Sequence, residues 1–208
     1  MDKGLFIRQW NCQGIRRKQA ELGKRAVEFN FILLSELWLN NDEQFILKNF
    51  NTVKKCRLDR RRGRVAVLVR ADLHYQIYDV IYTANNKIEA CGVTITWKSK
   101  PLILVSVYKT PNVFVSYGEW VRFFSQFPNE FVVGGDFNAH HPFWEDAEVC
   151  AEGRGLFDAM VEGDLHCLNA GSPTRFATPH SRATEVDITL SNSASFLAAH
   201  WETVNESW

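Results

Sequence analysis

Hydrophobic positions recur along the chain with two periods. Short apolar or alternating runs, rich in β-branched and aromatic residues, predict strands. Leu5–Trp10 is the first. Phe31–Ser35 is too short for a helix and is bounded by polar residues, so it reads as a buried strand. Thr52–Cys56 and Val65–Arg70 flank a very basic connection. Tyr75–Tyr82, Ile88–Trp97, Leu102–Tyr108, Phe131–Gly135, Leu165–Asn169, Thr174–Ala177 and Glu185–Ser191 complete the strands. Helical spacing is rarer. Residues 17–30 place Leu22, Ala26 and Phe29 on one face. Ser116-Tyr117-Gly118-Glu119 is a capping box, with Tyr117, Trp120, Val121, Phe124 and Phe127 repeating behind it until Pro128. Gly155–Gly163 is helical through Leu156, Ala159 and Met160. Many strands with few helices do not suit a doubly wound parallel sheet. They predict an α/β fold, a four-layered α/β sandwich of two packed, mostly antiparallel sheets flanked by helices.

Composition narrows the class. The chain has 208 residues, 46% hydrophobic and 23% charged, which excludes a disordered or collagenous chain. At that length residues 1–208 are expected to form a single domain. No apolar run approaches the ~20 residues of a membrane span, so no membrane partner is expected. Leu5-Phe6-Ile7, so soon after Met1, reads as a strand and leaves no room for a signal peptide. The five cysteines show no CxxC spacing and read as reduced thiols. An intracellular setting, nuclear or cytoplasmic, is therefore expected.

The net charge of zero averages two unequal parts. Residues 1–70 hold 16 Lys/Arg against 7 Asp/Glu, and residues 71–208 hold 8 against 17. A cationic region beside a carboxylate-rich one could hold a polyanion near a metal. Two solvated surfaces would look the same.

Polar residues collect at the ends of the apolar strands. Asn11 and Gln13 follow the first, Glu36 follows Phe31-Ile32-Leu33-Leu34, Tyr108 ends Leu102–Val107, and Asp136 and Asn138 follow Phe131-Val132-Val133. Carboxylates gathered on such rigid ends can bind Mg²⁺ or Mn²⁺. Taken singly, Glu36 could begin a helix and Asp136 could be a turn residue. Asp187, within Val186-Asp187-Ile188, must be paired or near a site. His140 and His141 lack the spacing of a helical metal pair and read as a packed loop. There is no Walker-type loop and no Ser–His–Asp arrangement.

Together these segments resemble the endonuclease/exonuclease/phosphatase (DNase I-like) superfamily. Trp10-Asn11-Cys12-Gln13-Gly14 resembles its opening motif, Ser35-Glu36 its metal-binding Glu, and Ser106-Val107-Tyr108 through Pro111 its Tyr-bearing strand. Gly135-Asp136-Phe137-Asn138 resembles its most specific signature, and Thr184-Glu185-Val186-Asp187 its penultimate motif. The order agrees over essentially the whole chain. The run Gly135–Pro142, Trp144, Arg154-Gly155 and Thr174-Arg175-Phe176 look most like the endonuclease domain of non-LTR (LINE-type) retrotransposons. Abasic-site endonucleases of the superfamily carry Asp where this chain has Gln13, and a neutral amide is a weaker ligand for a hard cation.

The resemblance implies phosphodiester hydrolysis on DNA with Mg²⁺ or Mn²⁺ bound by Glu36. Asp136 would position or deprotonate the water. Asn11 and Asn138 would hydrogen-bond the phosphate and the carboxylates. Tyr108 would face the developing phosphorane charge, Asp187 would orient a catalytic His, and Thr174 would contact phosphate. The hairpin over 175–183, with Arg175, Phe176, His180 and Arg182, would enter the minor groove or stand as a long polar turn. Lys54, Lys55, Arg57, Arg60, Arg61, Arg62 and Arg64 form either a solvated hairpin tip or a phosphate contact. Arg16, Arg17, Lys18, Lys24 and Arg25 add a second basic stretch.

The superfamily's final Ser-Asp-His motif has no counterpart before Trp208, and the sequence contains no Asp-His pair. The domain is thus expected to be truncated before that strand and to nick DNA poorly, since a missing acid/base group costs about 10²–10⁴ in rate. A C-terminal reverse transcriptase domain in a parent polyprotein is the partner the resemblance implies. An abasic-site repair nuclease, another phosphoesterase of the superfamily, or a catalytically silent DNA-binding module are the alternatives.

Overall fold

The computed structural model describes residues 4–40, 43–55, 64–144, 149–169, 187–193, 196 and 199–203. Two sheets pack face to face. The first has the order β1-β2-β4-β3, built from β1 (Ile7–Asn11), β2 (Phe31–Ser35), β3 (Phe50–Lys55) and β4 (Val65–Arg70). The second has the order β5-β6-β7-β8-β10-β9. Its strands are β5 (Gln76–Tyr78), β6 (Ile88–Trp97), β7 (Lys100–Lys109), β8 (Glu130–Asp136), β9 (His166–Cys167) and β10 (Asp187–Ser191). The β1–β2 and β7–β8 pairs are parallel and the other pairings antiparallel. Each parallel pair is joined through a helix, α1 (Gln19–Arg25) for the first and α2 (Tyr117–Ser125) for the second, because a parallel return needs a crossover. A third helix, α3 (Ala151–Glu162), packs beside α2.

Period-two alternation builds three cores from these strands. Phe31 and Leu33 of β2 face the layer between the sheets, with Val67, Leu102, Leu104 and Val132. Ile32 and Leu34 face the other way, toward Leu22 of α1. On the far side of the second sheet, Ile103, Val105 and Val133 meet Trp120 and Phe123 of α2 and Leu156 and Met160 of α3. Three cores separate four layers, the sandwich expected from the sequence.

Element ends differ in places. α1 gives way to a 3-10 turn over Ala26–Glu28, so the helix expected over 17–30 is shorter. α2 begins as predicted: Ser116 caps it, with the Ser116 side chain and Glu119 bonded reciprocally. α3 starts four residues before Gly155, because the Cys150 thiol accepts from Gly153 N and caps the helix. β5 covers only part of Tyr75–Tyr82, pairing with Val93 and its neighbours alone. The strand expected over Thr174–Ala177 lies outside the described residues. Cys12, Cys91, Cys150 and Cys167 are free thiols. No helix among the described residues is long and apolar enough to cross a membrane.

Candidate active site at the strand ends

Three strands of two sheets bring Asn11, Glu36 and Asp136 together. Asn11 is the last residue of β1, Glu36 follows β2, and Asp136 ends β8. One amide group joins them: Asn11 Nδ2 donates to Glu36 Oε1 at 2.9 Å and to Asp136 Oδ2 at 2.8 Å. The other oxygen of each acid is also held. Trp38 Nε1 donates to Glu36 Oε2 at 3.1 Å, and Asn138 N donates to Asp136 Oδ1 at 3.0 Å. Both carboxylates are therefore oriented, and Asp136 is buried.

The loops that carry these groups turn through the left-handed region. Glu36 has φ +53°, Trp38 +54°, Gln13 +43° and Asn138 +43°. Such backbones cost about 1–3 kcal/mol each and persist only where the surroundings over-determine them. At Glu36 they do. Its carbonyl accepts from Gly14 N at 2.8 Å, and the next amide, Leu37 N, donates to Arg64 O at 3.3 Å. Gly14 leaves room for the Trp38 ring, which a Cβ would strike. No helix begins at Glu36.

The second sheet supplies a row of aligned residues. Tyr108 pairs with Asp136 across the parallel β7–β8 ladder, and Asp187 pairs with Asp136 across the antiparallel β8–β10 ladder. Like charges directly opposite one another are destabilising, so this row favours a cation or a hydrogen-bond donor. The Asp187 carbonyl accepts from Asn169 Nδ2 at 2.9 Å. Asn138 Nδ2 donates to the Lys109 carbonyl at 2.8 Å, fixing the turn after Asp136 to the end of β7. Lys109 itself is fully buried, and burial pulls its ammonium below the usual lysine range, against the opposing pull of Glu152, Cys150 and Asp136.

The donor set suits a hard cation held loosely by protein. Among the described residues no three His, Cys, Asp or Glu side chains converge to cage a metal by themselves. Glu36 and Asp136, two hydrogen-bond lengths apart through one amide, could take a cation that keeps water and phosphate oxygens, as Mg²⁺ does with one or two carboxylates. Cys12, beside Asn11, is not a nucleophile: burial pushes its thiol up to about 12, and Sγ donates to Ser35 O at 3.0 Å.

His141 is part of a packed loop. Its ring stacks on Phe157 at 4.4 Å, and its Nδ1 accepts from Phe143 N at 3.2 Å. Burial lowers its pKa, with Arg154 adding to the effect and Asp158 opposing it.

The basic stretches are more committed than the sequence suggested. Arg16 donates to both oxygens of Glu43 and to Trp38 O, while Lys18 donates to Cys12 O. Lys24 and Arg25 pair with Glu21. Lys54 reaches the Glu43 carbonyl, and Lys55 reaches Val80 O and Asp79. Arg17 is exposed and, alone in its stretch, has no partner among the described residues. Arg57, Arg60, Arg61 and Arg62 lie outside the described residues, as do Thr174, Arg175, Phe176, His180, Arg182 and Thr184–Val186. Reading the sequence missed Trp38 as a holder of Glu36, and Lys109 as the partner of Asn138. An indole two residues from an acid at a strand end was the available signal.

Residues 102–208 match the endonuclease-reverse transcriptase family. The chain is 27% identical over 210 residues to the probable RNA-directed DNA polymerase from transposon BS of Drosophila melanogaster, covering 98% of the chain and 23% of the relative. It is 25% identical over 176 residues to the RNA-directed DNA polymerase from mobile element jockey of Drosophila funebris, covering 83% of the chain and 19% of the relative. The chain thus spans about a fifth of the length of the curated relatives it matches. Its fold is similar to the endonuclease domain of TRAS1, a telomere-specific non-LTR retrotransposon. There the TM-score is 0.69 at 23% identity, over 89% of this chain and 83% of that one. The Xenopus laevis APE2 catalytic domain gives 0.63 at 12% identity, over 90% and 82%.

Proposed function

Because the chain belongs to the endonuclease-reverse transcriptase family, we propose that it is the target-nicking domain of a non-LTR retrotransposon polyprotein, cutting one strand of DNA to prime reverse transcription. A reverse transcriptase domain in the same polyprotein would then extend the new end. The observation that carries this reading is the Asn11 amide spanning Glu36 and Asp136, which fixes two carboxylates from opposite sheets beside one another.

In the proposed reaction, water attacks phosphorus in line with the 3′ oxygen, that P–O bond breaks, and the departing 3′ oxygen takes a proton from solvent water, leaving a 5′ phosphate and a 3′ hydroxyl. Glu36 would hold Mg²⁺ or Mn²⁺, which supplies charge stabilisation at phosphate and leaving group. Asp136, with both oxygens oriented by donors, accepts the proton of the attacking water. Tyr108, aligned with Asp136, offers a hydroxyl to the phosphorane oxygens. Asn11 and Asn138 keep the acids in place, and Asp187 shapes the far side of the row. Thr174, Arg175 and Arg182 are proposed to contact phosphate and groove.

Supercoiled plasmid tests the reading. The 208-residue chain is expected to convert it to the open-circular form, slowly, in Mg²⁺, and to stop in EDTA. Cleavage confined to plasmid bearing abasic sites would favour a repair nuclease instead. Salt-dependent binding without turnover in any divalent metal would favour a silent DNA-binding module.

A further inference from the structure

Gln9 has no part in the chemistry above, yet its side chain crosses between the sheets directly beneath it. Its Nε2 donates to the Gly135 carbonyl at 3.2 Å, and its Oε1 accepts from the Thr189 hydroxyl at 2.8 Å. Side chains alternate along a strand. Gln9 therefore shares the inward face of β1 with Asn11, and Thr189 shares that of β10 with Asp187. In the second sheet Ser106, Gly134 and Thr189 are paired in register, one rung below Tyr108, Asp136 and Asp187. The buried Ser106 hydroxyl donates across the layer to the Leu34 carbonyl at 2.7 Å, two residues before Glu36. Gly134 makes the space: a Cβ there would collide with Gln9 Oε1. Deeper in the layer the facing residues are apolar, Leu102, Leu104 and Val132.

The layer between the sheets thus changes from apolar, to small and polar, to the site. Apolar contacts are non-directional and would tolerate a small slide of one sheet over the other. Hydrogen bonds are directional, and buried ones are costly to leave unmade. A polar rung under the site therefore fixes the relative position of the sheets where position matters most.

We propose that Gln9, keyed into the gap over Gly134 and bonded to Gly135 and Thr189, is a positioning residue that sets the reach of Asn11 to Asp136. Its catalytic consequence rests on the endonuclease reading; its geometric consequence does not. A shift of about 1 Å in a reacting group can cost on the order of 10²-fold in rate.

Two measurements on the 208-residue chain test this. The first follows the side-chain amide resonances of Asn11 by ¹⁵N NMR, assigned by their loss in Asn11→Asp. The second is single-turnover nicking of supercoiled plasmid in Mg²⁺. Gln9→Leu is expected to move the Asn11 resonances and slow cleavage by about 10²-fold with half-saturating plasmid concentration unchanged. Thr189→Val should move both in the same direction, Thr189→Ser should restore both, and the double variant should be no worse than Gln9→Leu. Should Gln9→Leu not fold, the Thr189 pair decides. Unshifted Asn11 resonances with a wild-type rate overturn the proposal, as do losses that multiply in the double variant. A wild-type chain that nicks nothing sinks the endonuclease reading, and the resonances still decide the role of Gln9.

Discussion

Asn11 and Asp136 are 125 positions apart in the sequence, and 2.8 Å separates the amide nitrogen of one from a carboxylate oxygen of the other. The same nitrogen reaches Glu36 at 2.9 Å. One neutral donor thus spaces two acids that would otherwise repel. Asn11→Ala deletes the donor that orients one oxygen of each acid. The expected result is a loss of nicking rate of at least about 10²-fold, with plasmid binding retained. Gel-shift and nicking assays run side by side check it; a variant that cuts like wild type would remove Asn11 from the machinery.

Trp38 holds the other face of Glu36. Its indole N–H donates to Oε2 at 3.1 Å while its ring packs where Gly14 lacks a side chain. Trp38→Phe keeps the ring and deletes the donor. Groups that orient a metal-binding carboxylate typically contribute 10–100-fold in affinity, so Mn²⁺ binding by calorimetry is expected to weaken by about that factor. Glu36→Gln should abolish it. Equal Mn²⁺ affinity in Trp38→Phe and wild type would show the indole bond to be incidental.

Two of the strand-end acids are legible in the sequence because the strands that precede them, β2 and β8, are apolar on both faces. Phe31-Ile32-Leu33-Leu34 feeds two cores, so the first charged residue after it marks the point where the chain leaves the interior. The same reasoning located Asp136 after Phe131-Val132-Val133. It could not show that Asn11 spans both acids, since that contact depends on how two sheets face each other. The polar rung of Gln9, Ser106 and Thr189 is hidden in the sequence because each reads as a lone exception in a strand. Their common offset of two positions from Asn11, Tyr108 and Asp187 is the pattern that identifies them. The sequence places the start of α3 four residues late because its cap is a cysteine sulfur, and Gly153 sits where a Cβ would meet the His140 carbonyl.

The capping box on α2 is legible in four residues and is present in full. Ser116 N donates to Glu119 Oε2 at 2.8 Å, and Glu119 also takes Lys87 Nζ at 2.7 Å. Ser116→Ala removes the hydroxyl from an otherwise well-packed helix end. The expected cost is about 1 kcal/mol of unfolding free energy, read from the urea midpoint at unchanged slope. Ser116 lies on the far side of the second sheet from Glu36, so nicking should be unaffected. A shift in the cleavage rate without loss of stability would contradict this placement.

Glu43 links stability to pH in the acid range. The Arg16 guanidinium, then Asn40 N–H, hold its carboxyl down at about 2 against an ordinary 4.5, with burial opposing. A carboxylate depressed on folding binds fewer protons in the native state than in the unfolded one. Its contribution is therefore complete above pH 4.5 and is lost as pH falls toward about 2. The pair is partly solvated, with Glu43 31% exposed, so the effect should be modest and screened by salt. Glu43→Gln is expected to melt below wild type at pH 7, with the gap closing as the solution is acidified through that window. Arg16 also donates to the Trp38 carbonyl at 2.9 Å, so the variant loosens the segment that follows Glu36. Melting curves across the acid range decide it, and a gap that stays constant or widens on acidification would assign the stability of this corner to packing rather than to the ion pair.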